Sequence, residues 1–392
     1  MFIITYAILK TIKIGGVNMK YDIAAFIWPS YTGDEPRTRI FWPEGYGEWQ
    51  TVKAMTDRGY EGCRWPRIPT WGYVNEADSR VMEMQIDCAV SYGVNVFIYD
   101  WYWYDNRPFL ENCLNDGFLK ARNNKDMKFM LMWANHHATH LWDKRNSDAD
   151  LSTVIWNGNV TPEIFSQICD RTIEKYFSRD NYYMIDGCPV YMIFDVDNFI
   201  RSFPSTRECR KGLEEFRRKT VEAGFKGLHF QVVHWGKRIY NWLNDNDDCK
   251  GMDAYGLYDY LGVDSVTNYN WFSCVNPDGD YAMQTDSYIK NLSDESEKLS
   301  IPFYPNISVG WDNNVRFNKF IPGVVKNNTP DNFRTACKKV KSFADESINK
   351  GIMKAPFITV NSWNEWTETS YLQPDDLYGY GYLEAVKEVF VK

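Results

Sequence analysis

The sequence predicts a single (β/α)8 barrel, in which a closed ring of eight parallel strands is surrounded by helices. Short apolar segments alternate with amphipathic segments along the chain, which is the pattern of strand–helix units in a parallel sheet. Eight apolar segments can be counted, and eight parallel strands close a barrel. The first segment is followed by PSYTGDEPRTR, which lacks the glycine-rich phosphate turn expected of an open, doubly wound sheet.

The predicted strands are apolar along nearly their whole length, as expected when both faces of a strand are buried. They span residues 21–28, 95–101, 127–133, 189–194, 228–234, 251–255, 303–309 and 357–363. Amphipathic segments between them predict helices. These helices span residues 76–92, 109–121, 162–177, 206–223, 280–299, 330–349 and 377–391.

The domain organisation follows from the absence of internal repeats and low-complexity linkers in the sequence. We expect one catalytic domain over residues 19–392, preceded by a peripheral extension over residues 1–18. Met19 lies two residues before the first predicted strand, which suggests a natural start there; an export signal in 1–18 is the alternative. The apolar stretch is shorter than the roughly 20 residues of a transmembrane helix, so stable membrane insertion is not expected.

Composition excludes some partners and favours others. The 392 residues carry a net charge of −8 with no basic cluster, which argues against nucleic acid. The nine cysteines are scattered without a CxxC pair, which favours a reducing compartment, the cytoplasm; export through residues 1–18 would place the protein in the periplasm or outside the cell. We expect a monomer or a weak homo-oligomer.

Aromatic residues make up 17% of the chain, including 16 Trp and 26 Tyr. Most Phe and about half of the Tyr are expected to fill the core. The Trp residues, however, cluster beside polar residues at the ends of predicted strands, where a ring can stack on a sugar while polar groups bind its hydroxyls. An oligosaccharide or polysaccharide is therefore the expected substrate.

The carboxyl ends of barrel strands, and the loops that follow them, build the active sites of this fold. Three predicted loops, 29–74, 134–160 and 256–280, are too long to be plain connections. The side chains predicted to bind substrate lie at or just after strand ends. They are Asp100, Trp101, Trp103, Trp133, Asn135, His136, His234, Tyr255, Trp311, Asp312, Trp363 and Asn364.

Glu365 and Glu368 are the predicted catalytic pair, in the segment NSWNEWTE after the eighth predicted strand. Glycoside hydrolysis usually needs two carboxyl groups, one of which protonates the leaving oxygen. The neighbouring Trp363 and Trp366 could raise one carboxyl pKa, as a general acid requires. An ExxE pair on a helix surface is usually only solvated, and the position after strand eight is what favours function here.

No metal and no cofactor are predicted. His136, His137 and His140 lack the carboxylate or further histidine at a spacing diagnostic of a metal site, so a structural or sugar-binding role is favoured. Two alternatives to a hydrolase stay open. Asp195 and Asp197 form a DxD pair of the kind found in glycosyltransferases, and a non-catalytic carbohydrate-binding barrel would share the aromatic cleft.

Several segments together resemble a known family. VNSWNEWTETSYLQPDDLYGYGYLEAVKEVF resembles the C-terminal hallmark of the WbsX-like family, which belongs with glycoside hydrolase family 99. GYGEWQTVKA, YGVNVFIYDWYWYDNRPFLENCL, KFMLMWANHHATHLWDK, IDGCPVYMIF and YPNISVGWDNNVR resemble further segments of that family in the same order. The resemblance covers residues 21–391.

This resemblance implies a (β/α)8 barrel with retaining, endo-acting activity on α-mannosides or similar glycans. By the match to an NEWxE motif, Glu368 would be the general acid/base. Glu365 would deprotonate the sugar 2-hydroxyl, which attacks its own anomeric carbon to give a 1,2-anhydro sugar. The chain departs from the family pattern at Thr367, Gln373 and residues 135–137, which leaves the substrate open.

Overall fold

The computed structural model describes residues 12–14, 17–60, 64–142, 150, 152–272 and 274–391. Within these ranges, eight strands form a parallel barrel. They are β1 (Asp22–Ile27), β2 (Val96–Tyr104), β3 (Lys128–Trp133), β4 (Cys188–Ile193), β5 (His229–Val233), β6 (Ser265–Thr267), β7 (Phe303–Tyr304 and Asn306–Ser308) and β8 (Phe357–Asn361).

The strands pair in chain order, and the ring closes through β7. Strands β1 to β6 pair consecutively, and β6 pairs with the first part of β7. Pro305 separates the two parts of β7, the second part pairs with β8, and β8 pairs with β1. The predicted (β/α)8 barrel is therefore confirmed.

Side chains fill the inside of the barrel. The hydroxyl groups of Thr267 on β6 and Thr359 on β8 are 2.9 Å apart, although these strands are not neighbours in the sheet. Asn306 on β7 donates to the Thr359 hydroxyl at 3.0 Å. The contact between Thr267 and Thr359, on the alternate strands β6 and β8, is typical of the layers that pack a barrel interior.

Helices cover the outside of the barrel in the described part of the chain. They are α1 (Trp49–Lys53), α2 (Ser79–Ser91), α3 (Pro162–Thr172), α4 (Val196–Ile200), α5 (Thr206–Glu222), α6 (Ala254–Leu261), α7 (Tyr281–Ser296), α8 (Pro330–Asn349) and α9 (Gly381–Phe390). Sequence explains their starts: Thr161 and Thr329 cap α3 and α8 through their hydroxyls, each followed by proline at the first helical position.

The predicted sixth strand, 251–255, is wrong. Asp253 accepts a hydrogen bond from the backbone N–H of Gly256 and caps α6, whose buried side chains recur at helical spacing. Gly262, in the left-handed conformation, ends α6, and only then does β6 begin. The predicted loop 256–280 therefore contains a helix and a strand.

The predicted helix 109–121 is helical over residues 112–120, but not as a regular α-helix. The described structure there is a π-helical turn, Cys113–Gly117, followed by a short 3-10 turn, Phe118–Lys120. A side chain at Gly117 would collide with the carbonyl oxygen of Glu76, 2.1 Å from the ideal Cβ position. Gly117 thus packs closely against the loop before α2, in a segment that is not a regular α-helix.

The structure describes only part of the predicted N-terminal extension, residues 1–18. Ile12–Ile14 and Val17–Met19 pair as a short antiparallel ladder, while residues 1–11, 15 and 16 lie outside the described residues. Of the helices in the described ranges, none combines the length and apolar character needed to cross a membrane.

Candidate active site

A cavity of about 350 Å³ opens at the carboxyl end of the barrel strands. Its lining comes from the strand ends and from the loops that follow them. The lining residues are Trp28, Asp100, Tyr102, Ala134, His136, His137, Thr139, Leu141, Trp142, Phe194, Tyr269, Arg316, Glu365 and Glu368. Aromatic rings and carboxyl groups therefore share one enclosed space.

A short hairpin after β8 brings both predicted catalytic glutamates to this cavity. Asn364–Glu365 pairs antiparallel with Ser370–Tyr371, and the tight turn Trp366–Glu368 connects them. Thr369 ends the turn in the left-handed conformation, with φ of 55°. We call residues 364–371 the catalytic hairpin, after the catalytic roles predicted for Glu365 and Glu368.

Arg316, on the loop after β7, connects the two glutamates. Its Nη1 donates to Glu368 Oε1 at 2.9 Å, and its Nη2 donates to Glu365 Oε2 at 3.5 Å. Its Nε contacts Oε1 of Glu48, from the loop after β1, at 3.3 Å. One buried guanidinium thus lies against three buried glutamates.

Glu48 is fixed by further donors around Arg316. The hydroxyl of Thr367 donates to Glu48 Oε1 at 2.9 Å, and the indole N–H of Trp28 donates to Oε2. Ser30 donates to the same Oε2 at 3.3 Å. Glu48 therefore has its own donors, and Thr367 of the hairpin holds it beside Arg316.

Burial raises the pKa of Glu365 well above its ordinary value and also raises that of Glu368. The charge of Glu368 adds to the rise at Glu365, and Arg316 opposes the rise at both groups. Like charges so close together resist ionising together, so the ionisation of one glutamate opposes the ionisation of the other.

Tyr269, after β6, lies between two carboxyl groups. Its hydroxyl is 2.9 Å from Asp100 Oδ2 and 3.0 Å from Glu365 Oε1. One hydroxyl hydrogen serves only one acceptor, so the second short contact requires a proton on a carboxyl group. Burial raises the pKa of both Asp100 and Glu365 well above their ordinary values, so protonation is favoured at both ends of this contact.

Two carboxyl oxygens in this cluster have no hydrogen-bond partner among the described residues. They are Asp100 Oδ1 and Glu368 Oε2, and both are buried. Buried polar atoms in folded proteins are nearly always paired, so unpaired ones need an explanation. Both residues line the cavity, where a polar ligand can pair with these atoms.

The structure brings four of the predicted site residues to the cavity: Asp100, His136, Glu365 and Glu368. Burial lowers the pKa of His136, which keeps its imidazole neutral. Its Nδ1 is 3.0 Å from the carbonyl oxygen of His137. Among the residues that the structure describes, no three His, Cys, Asp or Glu side chains are grouped to hold a metal ion.

The predicted site residues on β2 point alternately toward the cavity and toward the helices. Asp100 and Tyr102 face the cavity, whereas Trp101 and Trp103 do not line it. The Trp101 indole N–H donates to Glu111 Oε1 at 2.8 Å, in the helical layer. Successive side chains of a strand point to opposite faces, so period-two spacing from Asp100 identifies Tyr102, which the sequence analysis missed.

Three further predicted residues contact the helical layer instead of the cavity. Trp133 stacks on Phe165 of α3 with ring centroids 6.1 Å apart. His234 Nε2 lies 3.2 Å from Glu295 of α7, whose carboxylate also accepts from Tyr255. Tyr255 lies outside the cavity because residues 254–261 form α6 and not a strand.

The predicted Asn135, Asn364 and Trp363 have structural partners. Asn135 exchanges hydrogen bonds with the backbone of Asp195, at 2.7 and 2.8 Å. Asn364 does the same with the backbone of Trp28 at the end of β1, at 2.8 and 2.9 Å. The Trp363 indole N–H donates to Gln85 Oε1 at 2.7 Å.

Trp311 and Asp312 line a second cavity of about 300 Å³ beside the catalytic hairpin. Its lining residues are Arg64, Arg67, Trp311, Asp312, Val325, Lys326, Asn327, Asn328 and Thr369. Of the predicted substrate residues, Asp100 and His136 thus line the first cavity, and Trp311 and Asp312 line the second.

The DxD pair has local roles. The carboxylate of Asp195 accepts from the backbone N–H groups of Asp197 and Asn198 and caps α4. Asp197 Oδ2 pairs with Arg238 Nη1 at 3.0 Å.

The sequence analysis also did not single out Glu48, Tyr269, Arg316 and Trp142 as site residues. Glu48 and Arg316 lie inside segments that carry the family resemblance, GYGEWQTVKA and YPNISVGWDNNVR, so the segments were found but not these side chains. Trp142 lies in the long loop after β3 and packs its ring 5.2 Å from Trp28.

Comparison with known proteins gives one family match and several structural similarities. The family described as "Glycosyltransferase WbsX" matches residues 23–386. Two relatives from strains of Xanthomonas campestris pv. campestris, both named "Uncharacterized protein WxcX", are 22% identical over 377 residues. This alignment covers 94% of this chain and 50% of each relative, so the chain spans about half their length.

Two solved structures resemble the whole barrel. A "Glycoside hydrolase-like protein" superposes with a TM-score of 0.58 at 16% identity, covering 97% of this chain and 96% of that chain. The GH99 endo-alpha-mannosidase from Bacteroides thetaiotaomicron superposes with a TM-score of 0.54 at 14% identity, covering 93% and 95%. At these identities the similarity concerns the fold.

Proposed function

The chain belongs to the family described as Glycosyltransferase WbsX, and from that premise we propose that it hydrolyses glycosidic bonds. The family match confirms the resemblance found in the sequence. The observation that carries the proposal is the catalytic hairpin, where Glu365 and Glu368 contact one guanidinium group at the floor of an aromatic-lined cavity. Two carboxyl groups in such a site supply the acid and base that glycoside cleavage needs.

We assign Glu368 as the general acid/base. Its Oε1 accepts from Arg316, while Oε2 is buried without a hydrogen-bond partner in the described part of the chain and is the atom that would hold the transferable proton. Burial raises the pKa of Glu368 in spite of Arg316, which favours a protonated carboxyl group.

We assign Glu365 as the base toward the sugar 2-hydroxyl. A protonated Asp100 donating to Tyr269 lets the Tyr269 hydroxyl donate to Glu365, which stabilises its ionised form. Protonation of Asp100 and Glu368 also removes two charges that raise the pKa of Glu365.

The reaction then proceeds in two balanced steps. Glu365 takes the proton of the 2-hydroxyl, whose oxygen attacks the anomeric carbon as the glycosidic bond breaks and Glu368 protonates the leaving oxygen. Glu368 next takes a proton from water, which attacks the anomeric carbon and opens the 1,2-anhydro ring, and Glu365 returns its proton to O2. Two inversions give net retention, and a 2-hydroxyl trans to the leaving group, as in α-mannosides, suits this geometry.

The test combines a substrate screen with one variant. A panel of α-mannans and other microbial polysaccharides should yield a cleaved glycan, with the anomeric configuration of the first product retained by NMR. Glu368→Gln should lower kcat by about 10²- to 10⁴-fold on that substrate, with an unchanged circular dichroism spectrum. Near-normal turnover in this variant would exclude the assignment.

A further inference from the structure

We propose that Asp100 is a specificity-determining residue, whose Oδ1 accepts a hydrogen bond from the 3- or 4-hydroxyl of the sugar unit that is cleaved from its neighbour. The substrate must then leave that hydroxyl free of further sugars or other substituents. This inference rests on the proposed hydrolase function and adds to it which part of the sugar the site recognises.

The Asp100 side chain has one paired and one unpaired carboxyl oxygen. It is buried at the end of β2 and lines the first cavity together with Glu365 and Glu368. Oδ2 lies 2.9 Å from the Tyr269 hydroxyl, whereas Oδ1 has no hydrogen-bond partner among the described residues. A buried acceptor without a partner costs free energy, which a donor on a bound ligand recovers. Sugar hydroxyl groups are the donors that a saccharide brings into this cavity.

A buried carboxyl group with a structural role has different surroundings in this protein. Glu111, in the helical layer, accepts from the Trp101 indole at Oε1 and from the Arg171 guanidinium at Oε2. Both of its oxygens are thus paired within the protein, as is usual for buried polar atoms. Asp100 departs from this rule at the one oxygen that is left for a ligand.

Tyr269 fixes the Asp100 carboxyl group relative to Glu365. The Tyr269 ring packs against Phe26 and Phe194, with ring centroids 4.7 and 5.3 Å away. Its hydroxyl lies 2.9 Å from Asp100 Oδ2 and 3.0 Å from Glu365 Oε1. The two carboxyl groups are therefore separated by a single hydroxyl group, and both can contact hydroxyls of the same sugar ring.

The proposed base role of Glu365 determines which atom of Asp100 carries a proton. Tyr269 has one hydroxyl hydrogen, and this hydrogen must point to Glu365 if it is to stabilise the ionised carboxylate. The contact with Asp100 then requires a proton on Oδ2, which donates to the tyrosine oxygen. In this state Oδ1 is a carbonyl oxygen that can only accept, so its partner must be a donor such as a sugar hydroxyl.

The roles of the two glutamates leave two ring positions for Asp100. In the proposed reaction Glu365 takes the proton of the 2-hydroxyl, and Glu368 serves the oxygen on C1. Tyr269 connects Asp100 to Glu365, so we place Asp100 beside the hydroxyls that follow the 2-hydroxyl on the side away from C1. These are the hydroxyls on C3 and C4.

The test is a thermodynamic cycle between protein and sugar, which measures binding and does not depend on turnover. The ligands are methyl α-D-mannopyranoside and its 3-deoxy, 4-deoxy and 6-deoxy analogues, titrated by NMR. The proteins are Glu368→Gln, which suppresses cleavage, and the same variant with Asp100→Leu. With Asp100 present, either the 3-deoxy or the 4-deoxy analogue should bind about tenfold more weakly than the parent glycoside.

Replacing Asp100 should abolish that difference. In the Asp100→Leu background, the sensitive analogue and the parent glycoside should bind within about twofold of each other, because no acceptor is left. The 6-deoxy analogue should have the same relative affinity in both backgrounds. Whichever of the 3-deoxy and 4-deoxy analogues loses affinity identifies the hydroxyl that Asp100 binds.

Three further variants separate recognition from folding. Asp100→Asn should restore most of the preference, because its amide has an accepting oxygen and an N–H group that can donate to Tyr269. Asp116→Ala, which removes an exposed carboxylate paired with Lys120, is the matched control and should leave the cycle unchanged. Asp100→Ala takes the place of Asp100→Leu if circular dichroism shows that the latter does not fold.

Two results would overturn the proposal. One is a 3-deoxy and a 4-deoxy analogue that both bind as well as the parent, or whose loss of affinity is the same with and without Asp100. The other is no binding of the parent glycoside up to about 50 mM, which would mean that the cavity does not accept this sugar. Cleavage of polysaccharides by the wild-type protein is read separately from its products, so neither result decides the hydrolase proposal.

Discussion

Buried carboxyl groups contact the catalytic hairpin in two places, and their surroundings differ. On the cavity side, Glu365 and Glu368 lie against the cation of Arg316. On the other side, Glu76 is completely buried among neutral amide groups. Both sets of carboxyl groups are buried beside the same hairpin. Burial alone therefore does not distinguish a catalytic carboxyl group from a structural one.

The Glu76 cluster has a partner for each carboxylate oxygen. Asn364 Nδ2 donates to Oε2 at 2.8 Å, and Gln373 and Gln85 donate to Oε1 at 2.9 and 3.2 Å. Gln373 also accepts from the Trp366 indole at 2.7 Å. Burial raises the pKa of Glu76 to about 7, although these amides oppose the rise.

The hydrogen-bond partners distinguish the carboxyl groups proposed to act in catalysis from the carboxyl group that stabilises the hairpin. The carboxyl groups at the cavity have the cation of Arg316 beside them, and Asp100 Oδ1 and Glu368 Oε2 lack a hydrogen-bond partner among the described residues. Both carboxylate oxygens of Glu76, in contrast, are paired, and these hydrogen bonds hold the hairpin in place. A change on the cavity side should therefore affect catalysis first, and a change around Glu76 should affect stability first. The predictions below test this division.

The largest effect is expected from Arg316→Gln, which removes the guanidinium that forms ion pairs with Glu48, Glu365 and Glu368. Loss of one partner in a buried ion cluster should lower the free energy of unfolding by about 3–5 kcal/mol. Without the cation, the folded-state pKa values of Glu365 and Glu368 rise further, because Arg316 lowers both. The loss measured by urea unfolding should therefore be greater at pH 8 than at pH 5, where protons neutralise the cluster.

Arg122→Gln provides the control for Arg316→Gln, since Arg122 forms an exposed pair with Glu83. Its unfolding midpoint should match that of the wild type. If Arg316→Gln were equally harmless, the guanidinium would not be what allows three buried glutamates to coexist.

The second prediction concerns Glu76→Gln, whose amide cannot accept from Asn364 and Gln373 at once. We expect the free energy of unfolding to fall by about 1–3 kcal/mol at pH 5, with kcat reduced less than tenfold. The folded pKa of about 7 exceeds the ordinary value of 4.5, so wild-type Glu76 contributes stability at low pH and loses it as pH rises through 7.

Because the stability that Glu76 contributes is lost as pH rises, the effect of Glu76→Gln should depend on pH. The stability advantage of the wild type over the variant should decrease by about 3 kcal/mol between pH 4.5 and pH 8. A constant difference over this range would mean that Glu76 does not titrate there. A large loss of kcat with little change in stability would contradict its structural role.

The third prediction is Tyr269→Phe, which removes the hydroxyl between Asp100 and Glu365. A hydrogen bond to a charged group contributes about 1.5–3 kcal/mol, so kcat/KM should fall by about 10- to 150-fold with little loss of stability. Without this donor the pKa of Glu365 rises, and the acidic limb of the kcat/KM–pH profile should move to higher pH. An unmoved limb would show that Tyr269 acts only by packing.

The sequence predicts the frame of the fold well because its signals are local. The apolar run before NSWNEWTE locates β8, and the Thr329–Pro330 pair fixes the start of α8 at the predicted residue. Strand β6 was missed because it has only three residues and follows α6, whose apolar side chains are more conspicuous.

The candidate site could be predicted only where its residues are close in sequence. Glu365 and Glu368 lie three residues apart, but Arg316 contacts Glu365 across 49 positions and Glu48 across 268. No spacing in the chain reveals these pairs, because the barrel closure brings the loops after β1, β7 and β8 together. The side chains of β2 that face the cavity, in contrast, could have been predicted from the sequence, because successive side chains of a strand point to opposite faces.

The smallest effect is expected from Trp101→Phe, a residue that the sequence analysis placed in the substrate cleft. Trp101 donates to Glu111, which also accepts from Arg171 and Tyr176, so the loss of one donor should cost about 1 kcal/mol of stability. Its neighbour Tyr102 lines the cavity, and Tyr102→Leu should lower kcat/KM by about tenfold. Steady-state kinetics on one substrate compares the two variants, and kcat/KM of Trp101→Phe should stay within about twofold of the wild type. A greater loss of kcat/KM at Trp101 than at Tyr102 would mean that the outer face of β2 influences the reaction, and the division between cavity and support would then have to be redrawn on this strand.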